Sequence, residues 1–165
     1  MRKALLPLLL VTPLIAVTLA APATAAPGKP GAPLKCFASD GADVRVDKKT
    51  NTVAIKDDPS TGGNNFGCLT DLPVVTGDTI TFSHDTACGG GVPRLFIRFA
   101  DGPSENTFDG NEAGCTSAVG STLGTVTYTL KGAGMIDAFA FINDRGDSGT
   151  VTYSNLVIDG NIIDF

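Results

Sequence analysis

The chain has 165 residues, and its 17 Asp and Glu outnumber its 12 Lys and Arg, which gives a formal net charge of −5 at pH 7. This acidic balance argues against nucleic acids and anionic membrane surfaces as partners, because both require a positively charged protein face. The carboxylates comprise 15 Asp and only 2 Glu. Since Asp favours turns and caps over helix interiors, the composition favours a loop-connected β protein.

The N-terminal segment has the features of a secretory signal peptide. A positive start, Met1–Lys3, precedes an apolar run, Ala4–Ala20, and a small-residue stretch, Ala21–Ala26. The apolar run contains two Pro and is followed by no stop-transfer charges, which disfavours the alternative of a retained anchor. We therefore predict that residues 1–26 are removed and that the protein is secreted to the extracellular space, with no membrane span after cleavage.

A single β-rich domain is predicted after this segment. Residues 27–34 contain Pro and Gly and are expected to form a flexible leader, and residues 35–165 form the domain. Alternating apolar and polar residues predict a hairpin of Asp43–Asp47 and Thr52–Lys56, whereas Asp57–Gly67 has the composition of a loop. Further strands are predicted at Leu69–Val75, Thr79–His84, Arg94–Phe99, Thr107–Phe108, Thr125–Leu130, Met135–Ile142, Thr150–Ile158 and Ile162–Phe165.

This succession of strands, without helical periodicity, predicts the fold class. We expect an all-β protein with two antiparallel sheets packed as a jelly-roll-like β-sandwich, and a small closed barrel is the alternative. The pentapeptide Gly-Thr-Val-Thr-Tyr occurs at 124–128 and again at 149–153, and we expect it to mark equivalent strands of opposing hairpins. Five phenylalanines are assigned to the core, namely Phe82, Phe96, Phe99, Phe139 and Phe141.

All four cysteines, Cys36, Cys68, Cys88 and Cys115, follow the signal peptide. An even number in an oxidising compartment predicts two disulfides, and of the three possible pairings we favour the sequential one because it closes short loops within neighbouring hairpins. A zinc site is the competing hypothesis. It is disfavoured because no two cysteines are two to four residues apart and the one histidine, His84, has no second histidine beside it.

Acidic and amide side chains cluster in the long polar segment Asp101–Gly120. Because Ca²⁺ takes several oxygen ligands, a calcium site is a hypothesis here, and an ordinary solvated acidic turn is the alternative. The predicted ligands are Asp101, Glu105, Asp109 and Glu112.

Catalytic chemistry is not predicted. Successive side chains of a strand point to opposite faces, so the adjacent Ser83, His84 and Asp85 cannot form a triad. The Arg145-Gly146-Asp147 sequence matches a cell-adhesion tripeptide, but turn requirements between two strands explain it. We therefore expect the protein not to be an enzyme.

Four segments in this order resemble the strands of carbohydrate-binding modules of the jelly-roll type: Gly77–Phe82, Pro93–Phe99, Gly124–Leu130 and Gly149–Gly160. The chain also resembles short secreted proteins of actinobacterial type. The resemblance implies a non-catalytic domain, and we expect a monomer that binds an extracellular carbohydrate or cell-wall polymer through the loops Asp101–Gly120 and Asn143–Ser148. The alternative is a secreted structural or interaction domain with a cell-surface protein as partner. With no Trp and only two Tyr, the chain is not expected to form an aromatic platform for stacking sugar rings.

Overall fold

The computed structural model describes residues 34–39, 41–60, 64–89, 92–107, 115–117, 123–144, 146 and 148–165. The predicted signal peptide and residues 27–33 of the predicted leader lie outside these ranges. No helix long and apolar enough to cross a membrane occurs in this part of the chain. The described residues form twelve strands: β1 Lys35–Ala38, β2 Asp43–Asp47, β3 Thr52–Lys56, β4 Asn64–Val74, β5 Thr79–His84, β6 Arg94–Phe99, β7 Glu105–Asn106, β8 Cys115–Ser117, β9 Gly124–Thr129, β10 Gly134–Asn143, β11 Thr150–Ile158 and β12 Asn161–Ile162.

The strands form two antiparallel sheets that pack face to face. The five-stranded sheet has the order β1-β4-β10-β6-β7, and the seven-stranded sheet has the order β2-β3-β11-β5-β9-β8, with β12 paired to β11. This arrangement confirms the predicted all-β, jelly-roll-like antiparallel sandwich over the alternative of a closed barrel. Both copies of the repeated pentapeptide lie in the seven-stranded sheet, where β9 and β11 flank β5 on either side.

Aromatic side chains from both sheets meet in the core. Phe141 of β10 stacks on Tyr153 of β11 with a distance of 4.4 Å between ring centroids, and Phe82 of β5 meets Phe141 edge-on at 5.4 Å. Offset-stacked and edge-to-face pairs are the favoured aromatic geometries. The Tyr153 hydroxyl donates a hydrogen bond to the Ile142 carbonyl at 2.6 Å. Complete burial raises the pKa of Tyr153, because desolvation disfavours the phenolate.

The strand β4 extends into the segment that the sequence predicted as a loop. Residues Asn64 to Gly67 pair with the end of β10, and the apolar contacts of the core override the local loop composition. Pro73 lies near the other end of β4. At this end β4 pairs with β10 alone, because the pairing of β4 with β1 is confined to Phe66–Leu69. The missing N–H of Pro73 therefore interrupts no pairing with β1.

Two disulfides are present, as the cysteine count predicted, and they join Cys36 to Cys68 and Cys88 to Cys115. These are the sequential pairs. The first joins β1 to β4 at directly opposed positions, and the second joins the segment after β5 to β8. Each disulfide therefore fastens a short strand at the edge of one sheet to the rest of the sandwich.

Candidate functional site

The outer face of the five-stranded sheet carries a row of aligned residues that points away from the core. Side chains alternate between the two faces of a strand, and directly paired residues share a face. The inward positions are occupied by buried residues such as Phe66, Phe139 and Ile97. The register then defines the outer row, whose members are Phe37 of β1, Gly67 of β4, Ala140 of β10, Phe96 of β6 and Asn106 of β7.

The Phe37 ring extends over the backbone of β4. A Cβ atom placed on Gly67 would lie 2.9 Å from Phe37 Cζ, 3.1 Å from Ala140 Cβ and 2.8 Å from the Phe139 carbonyl oxygen. Only a residue without a side chain fits beneath this ring. Phe37 is 48% exposed, and Leu69 in the neighbouring row is 43% exposed. This end of the outer row is therefore an apolar surface in contact with solvent.

Phe96 lies on the outer face between Arg94 and Arg98. The prediction that Phe96 belongs to the core is wrong: its side chain is half-buried, whereas Phe82, Phe99 and the other two assigned phenylalanines are buried. The reason is the period of two along β6, which buries the residues on either side of Phe96 in sequence.

Two ion pairs flank the outer row. A terminal nitrogen of Arg94 donates to Asp144, and Arg98 Nε donates to Asp137 Oδ1 at 2.7 Å. The hydrogen bond and the charge of Asp137 raise the pKa of Arg98. The Arg98 side chain is 50% exposed, and a guanidinium has five N–H donors, so this residue retains donors for a ligand. The paired charges keep the outer face close to neutral.

Glu105, one of the predicted calcium ligands, accepts hydrogen bonds from protein donors. Its Oε2 accepts from the Tyr128 hydroxyl at 2.9 Å and from Lys131 N at 3.1 Å, and its Oε1 accepts from Gly132 N at 2.5 Å. This carboxylate therefore connects β7 to the end of β9 in the opposite sheet. Of the other predicted ligands, Asp101 is exposed.

The remaining predicted ligands, Asp109 and Glu112, lie outside the described residues. The calcium site therefore stays a prediction.

The second predicted contact loop begins at a buried amide. Asn143 is fully buried, and its Nδ2 donates to the Ile55 carbonyl at 2.8 Å. Asp57 Oδ2 accepts from Gly146 N at 2.5 Å. These bonds fix the loop to the seven-stranded sheet and give the two side chains a structural role. Of the adhesion tripeptide at 145–147, only Gly146 lies among the described residues.

The adjacent Ser83, His84 and Asp85 do not converge on a common site. Asp85 Oδ1 accepts a hydrogen bond from Thr152 N at 2.6 Å. His84 is buried, and its Nε2 lies 3.6 Å from Cys115 Sγ. The strand alternation thus directs these side chains to different partners, as the sequence predicted.

Local sequence pattern does not mark the outer row as a site. Phe37 belongs to a four-residue strand with no apolar alternation, so nothing local marks it as a surface aromatic. Phe96 did carry a signal, because the period of two along β6 places it on the same face as Arg94 and Arg98. The expectation that Trp and Tyr form no aromatic platform stays a prediction, and the aromatic side chains that the outer row does carry are those of Phe37 and Phe96.

No protein-family model matches the chain, and no curated protein sequence matches it significantly. Among solved structures, a variant of a family 29 carbohydrate-binding module has 12% sequence identity and a TM-score of 0.47, over 82% of this chain and 87% of that module. A family 86 module from Roseburia intestinalis, described as a low-affinity xylan-binding module, has 17% identity and a TM-score of 0.38, over 75% of this chain and 96% of that module. Both of these structures are carbohydrate-binding modules, whereas the β-sandwich architecture of this chain rests on its own strand pairing.

Proposed function

We propose that the protein is a secreted, non-catalytic domain that binds an extracellular carbohydrate or a cell-wall polymer across the outer row. The observation that carries this proposal is the exposed Phe37 ring lying over Gly67 on an open sheet face. An aromatic ring that is packed against the sheet at Gly67 and is 48% exposed offers apolar area to a ligand and loses little conformational entropy on binding. The apolar C–H face of a sugar ring suits this surface.

The spacing of the row favours an extended ligand. Phe37 and Phe96 lie on strands separated by three inter-strand steps, which places their backbones about 14 Å apart. The residues between them in the outer row, Gly67 and Ala140, are small. A chain of linked sugars can therefore lie across the strands with one ring near each phenylalanine, which supports a polymer over a single monosaccharide.

The polar rim supports a neutral glycan. Arg94 and Arg98 are each paired with a carboxylate, so the outer face has donors and acceptors for hydroxyl groups without a strong net charge. The chain as a whole is acidic, which opposes the approach of polyanions. Neutral polysaccharides therefore fit this surface better than acidic ones.

The test is retention on insoluble polysaccharides, combined with a glycan array, for the parent protein and three variants. Phe37→Ala and Phe96→Ala each remove one ring of the outer row. Ile162→Ala is the matched control, because Ile162 is 70% exposed on β12 of the opposite sheet. We expect each phenylalanine variant to bind about tenfold more weakly or worse, equivalent to about 1.4 kcal/mol, and the control to bind like the parent.

Two results would contradict the proposal. If both phenylalanine variants are retained like the parent, the ligand binds another surface, such as the loops Asp101–Gly120 and Asn143–Ser148. Absence of binding to any glycan would instead support the alternative, a secreted structural or protein-interaction domain.

A further inference from the structure

A histidine and a disulfide meet at the end of β5, on the seven-stranded sheet. His84 is 3% exposed, and its Nε2 lies 3.6 Å from Cys115 Sγ. Cys115 begins the edge strand β8 and is bonded to Cys88. One ring nitrogen and the two sulfur atoms all lie within 4.8 Å of one another. The fold thus brings Cys115 to His84 and Cys88, which are four residues apart in sequence.

The separation of nitrogen and sulfur matches that of neighbouring ligands in a tetrahedral zinc site. With Zn–S bonds of about 2.3 Å and Zn–N bonds of about 2.0 to 2.1 Å, adjacent N and S ligands are about 3.6 Å apart. His84 Nε2 and Cys115 Sγ already have this separation. Cys88 Sγ would reach a ligand position by a small movement away from Cys115 once the bond between the two sulfur atoms is broken.

We propose that reduction of the Cys88–Cys115 disulfide creates a binding site for a divalent metal of the zinc type, with His84, Cys88 and Cys115 as ligands and a water molecule in the fourth position. Two thiolates and one imidazole form a donor set that suits zinc. The intact disulfide excludes the metal, because the thiolate is the ligand form of cysteine. The site is therefore available only in the reduced protein.

The chemistry balances with a phosphine as reductant. The phosphine supplies two electrons to the disulfide, the bond between the two sulfur atoms breaks, and the phosphine takes an oxygen atom from water to become its oxide. The two protons of that water convert the sulfur atoms into two thiols. Binding of the metal ion then releases one proton from each thiol to solvent.

The chain contains its own control. The Cys36–Cys68 disulfide lies in the opposite sheet, whereas the one histidine of the chain, His84, lies beside the Cys88–Cys115 disulfide. Cys36 Sγ lies 3.8 Å from the Leu34 carbonyl oxygen. Reduction of this disulfide therefore exposes two thiols without a nitrogen ligand.

The test is titration of Co²⁺ into the full-length protein with and without reduction by a water-soluble phosphine. Co²⁺ reports tetrahedral thiolate ligation by its charge-transfer and d–d absorption bands. We expect one ion to bind each reduced chain, no binding to the oxidised chain, and displacement of Co²⁺ by Zn²⁺. The Cys36→Ser/Cys68→Ser variant should keep these bands, and Cys88→Ser/Cys115→Ser should lose them.

His84→Gln tests the nitrogen ligand and should weaken binding by at least the roughly tenfold factor that loss of an outer-shell partner costs. X-ray absorption of the reduced parent loaded with Zn²⁺ gives a readout that depends on no variant. We expect two sulfur neighbours at about 2.3 Å, with nitrogen or oxygen at about 2.0 to 2.1 Å. Four sulfur neighbours, or none, would overturn the proposal, as would equal binding by the oxidised protein. Because this site and the outer row lie on opposite sheets, either proposal can fail without the other.

Discussion

The Phe37 ring covers Gly67, with its Cζ atom 2.9 Å from the position that a Cβ on Gly67 would occupy. The two residues face each other across the β1 and β4 strands. The glycine therefore determines how closely the ring lies against the sheet, and the ring determines which side chains β4 can carry at this position.

Replacement of Gly67 by Val should displace Phe37. The new Cβ would also lie 2.8 Å from the Phe139 carbonyl oxygen, which is backbone and cannot move freely. We expect a loss of about 1 to 3 kcal/mol in the free energy of unfolding, together with weaker retention on polysaccharide. Gly102→Ala is the control, because its Cβ would meet Phe99 Cβ at an ordinary 3.4 Å. Urea unfolding and the retention assay measure both effects, and equal behaviour of the two variants would contradict the argument.

The Cys36→Ser/Cys68→Ser variant should lose both stability and ligand binding. The disulfide closes a separation of 32 residues, for which the chain-entropy model gives about 3 to 4 kcal/mol. It also holds β1, a four-residue edge strand that carries Phe37. The Cys88–Cys115 disulfide closes a similar separation of 27 residues, so its removal in Cys88→Ser/Cys115→Ser should cost a similar free energy of unfolding.

The two cysteine variants should differ in ligand binding. At a temperature where both remain folded by circular dichroism, retention on polysaccharide should fall only when β1 is released. Equal retention by both variants would show that Phe37 does not contribute to ligand binding.

Glu105→Gln should destabilise the sandwich. The carboxylate accepts hydrogen bonds from one hydroxyl and two backbone N–H groups, and an amide would turn an NH₂ group toward at least one of these donors. A donor left unpaired costs about 1 to 3 kcal/mol. Asp101→Asn removes an exposed charge from the same segment and should change the free energy of unfolding by no more than about 0.5 kcal/mol. Denaturant titration compares the two variants. Similar small changes in the free energy of unfolding would show that Glu105 has no structural role.

Alkaline pH should destabilise the protein through Tyr153. Burial raises the pKa of Tyr153 in the folded state, whereas a tyrosine in the unfolded chain ionises near pH 10. Above that pH the unfolded state releases a proton that the folded state keeps. The free energy of unfolding therefore falls, with a slope of up to about 1.4 kcal/mol per pH unit from this one group.

Tyr153→Phe removes that slope. At neutral pH the variant loses the hydrogen bond to Ile142, worth about 1 kcal/mol, so the parent is the more stable protein. Between pH 10 and pH 11.5 the difference should shrink or reverse, since phenylalanine does not ionise. Urea unfolding of both proteins across this range is the measurement, and parallel curves would show that Tyr153 does not titrate on unfolding.

The predicted calcium site in Asp101–Gly120 is tested by removal of the ion. If calcium binds there, a chelator should lower the melting temperature by several degrees, as expected for a ligand that binds only the folded state. The Asp109→Asn/Glu112→Gln variant should then no longer respond to chelator. An unchanged calorimetric scan of the parent would exclude the site.

The sequence predicted those strands best whose side chains alternate over five residues or more. The bounds of β2, β3, β5, β6 and β11 match the prediction. The first four keep a period of two from end to end, whereas the alternation of β11 is interrupted by a register shift between Ser154 and Val157. The strands β1 and β8 were missed, since they are short and are fastened by disulfides more than by a hydrophobic face.

The outer row was missed for a different reason. Its members come from five strands, and they align only through the register between strands that are distant in sequence. Local pattern can place Phe96 on a face, but it cannot place Phe37 over Gly67. The same limit applies to His84 and Cys115, which are brought together by the pairing of β5 with β9 and of β9 with β8.

The positions of the two disulfides have a consequence for self-association. The strands β1 and β8 are the terminal strands of their sheets, and terminal strands present unpaired N–H and C=O groups that can template pairing with another chain. If either strand detached, the long inner strand β4 or the strand β9 would become a new open edge. The covalent bonds at Cys36 and Cys115 therefore protect both sheets against edge-to-edge aggregation.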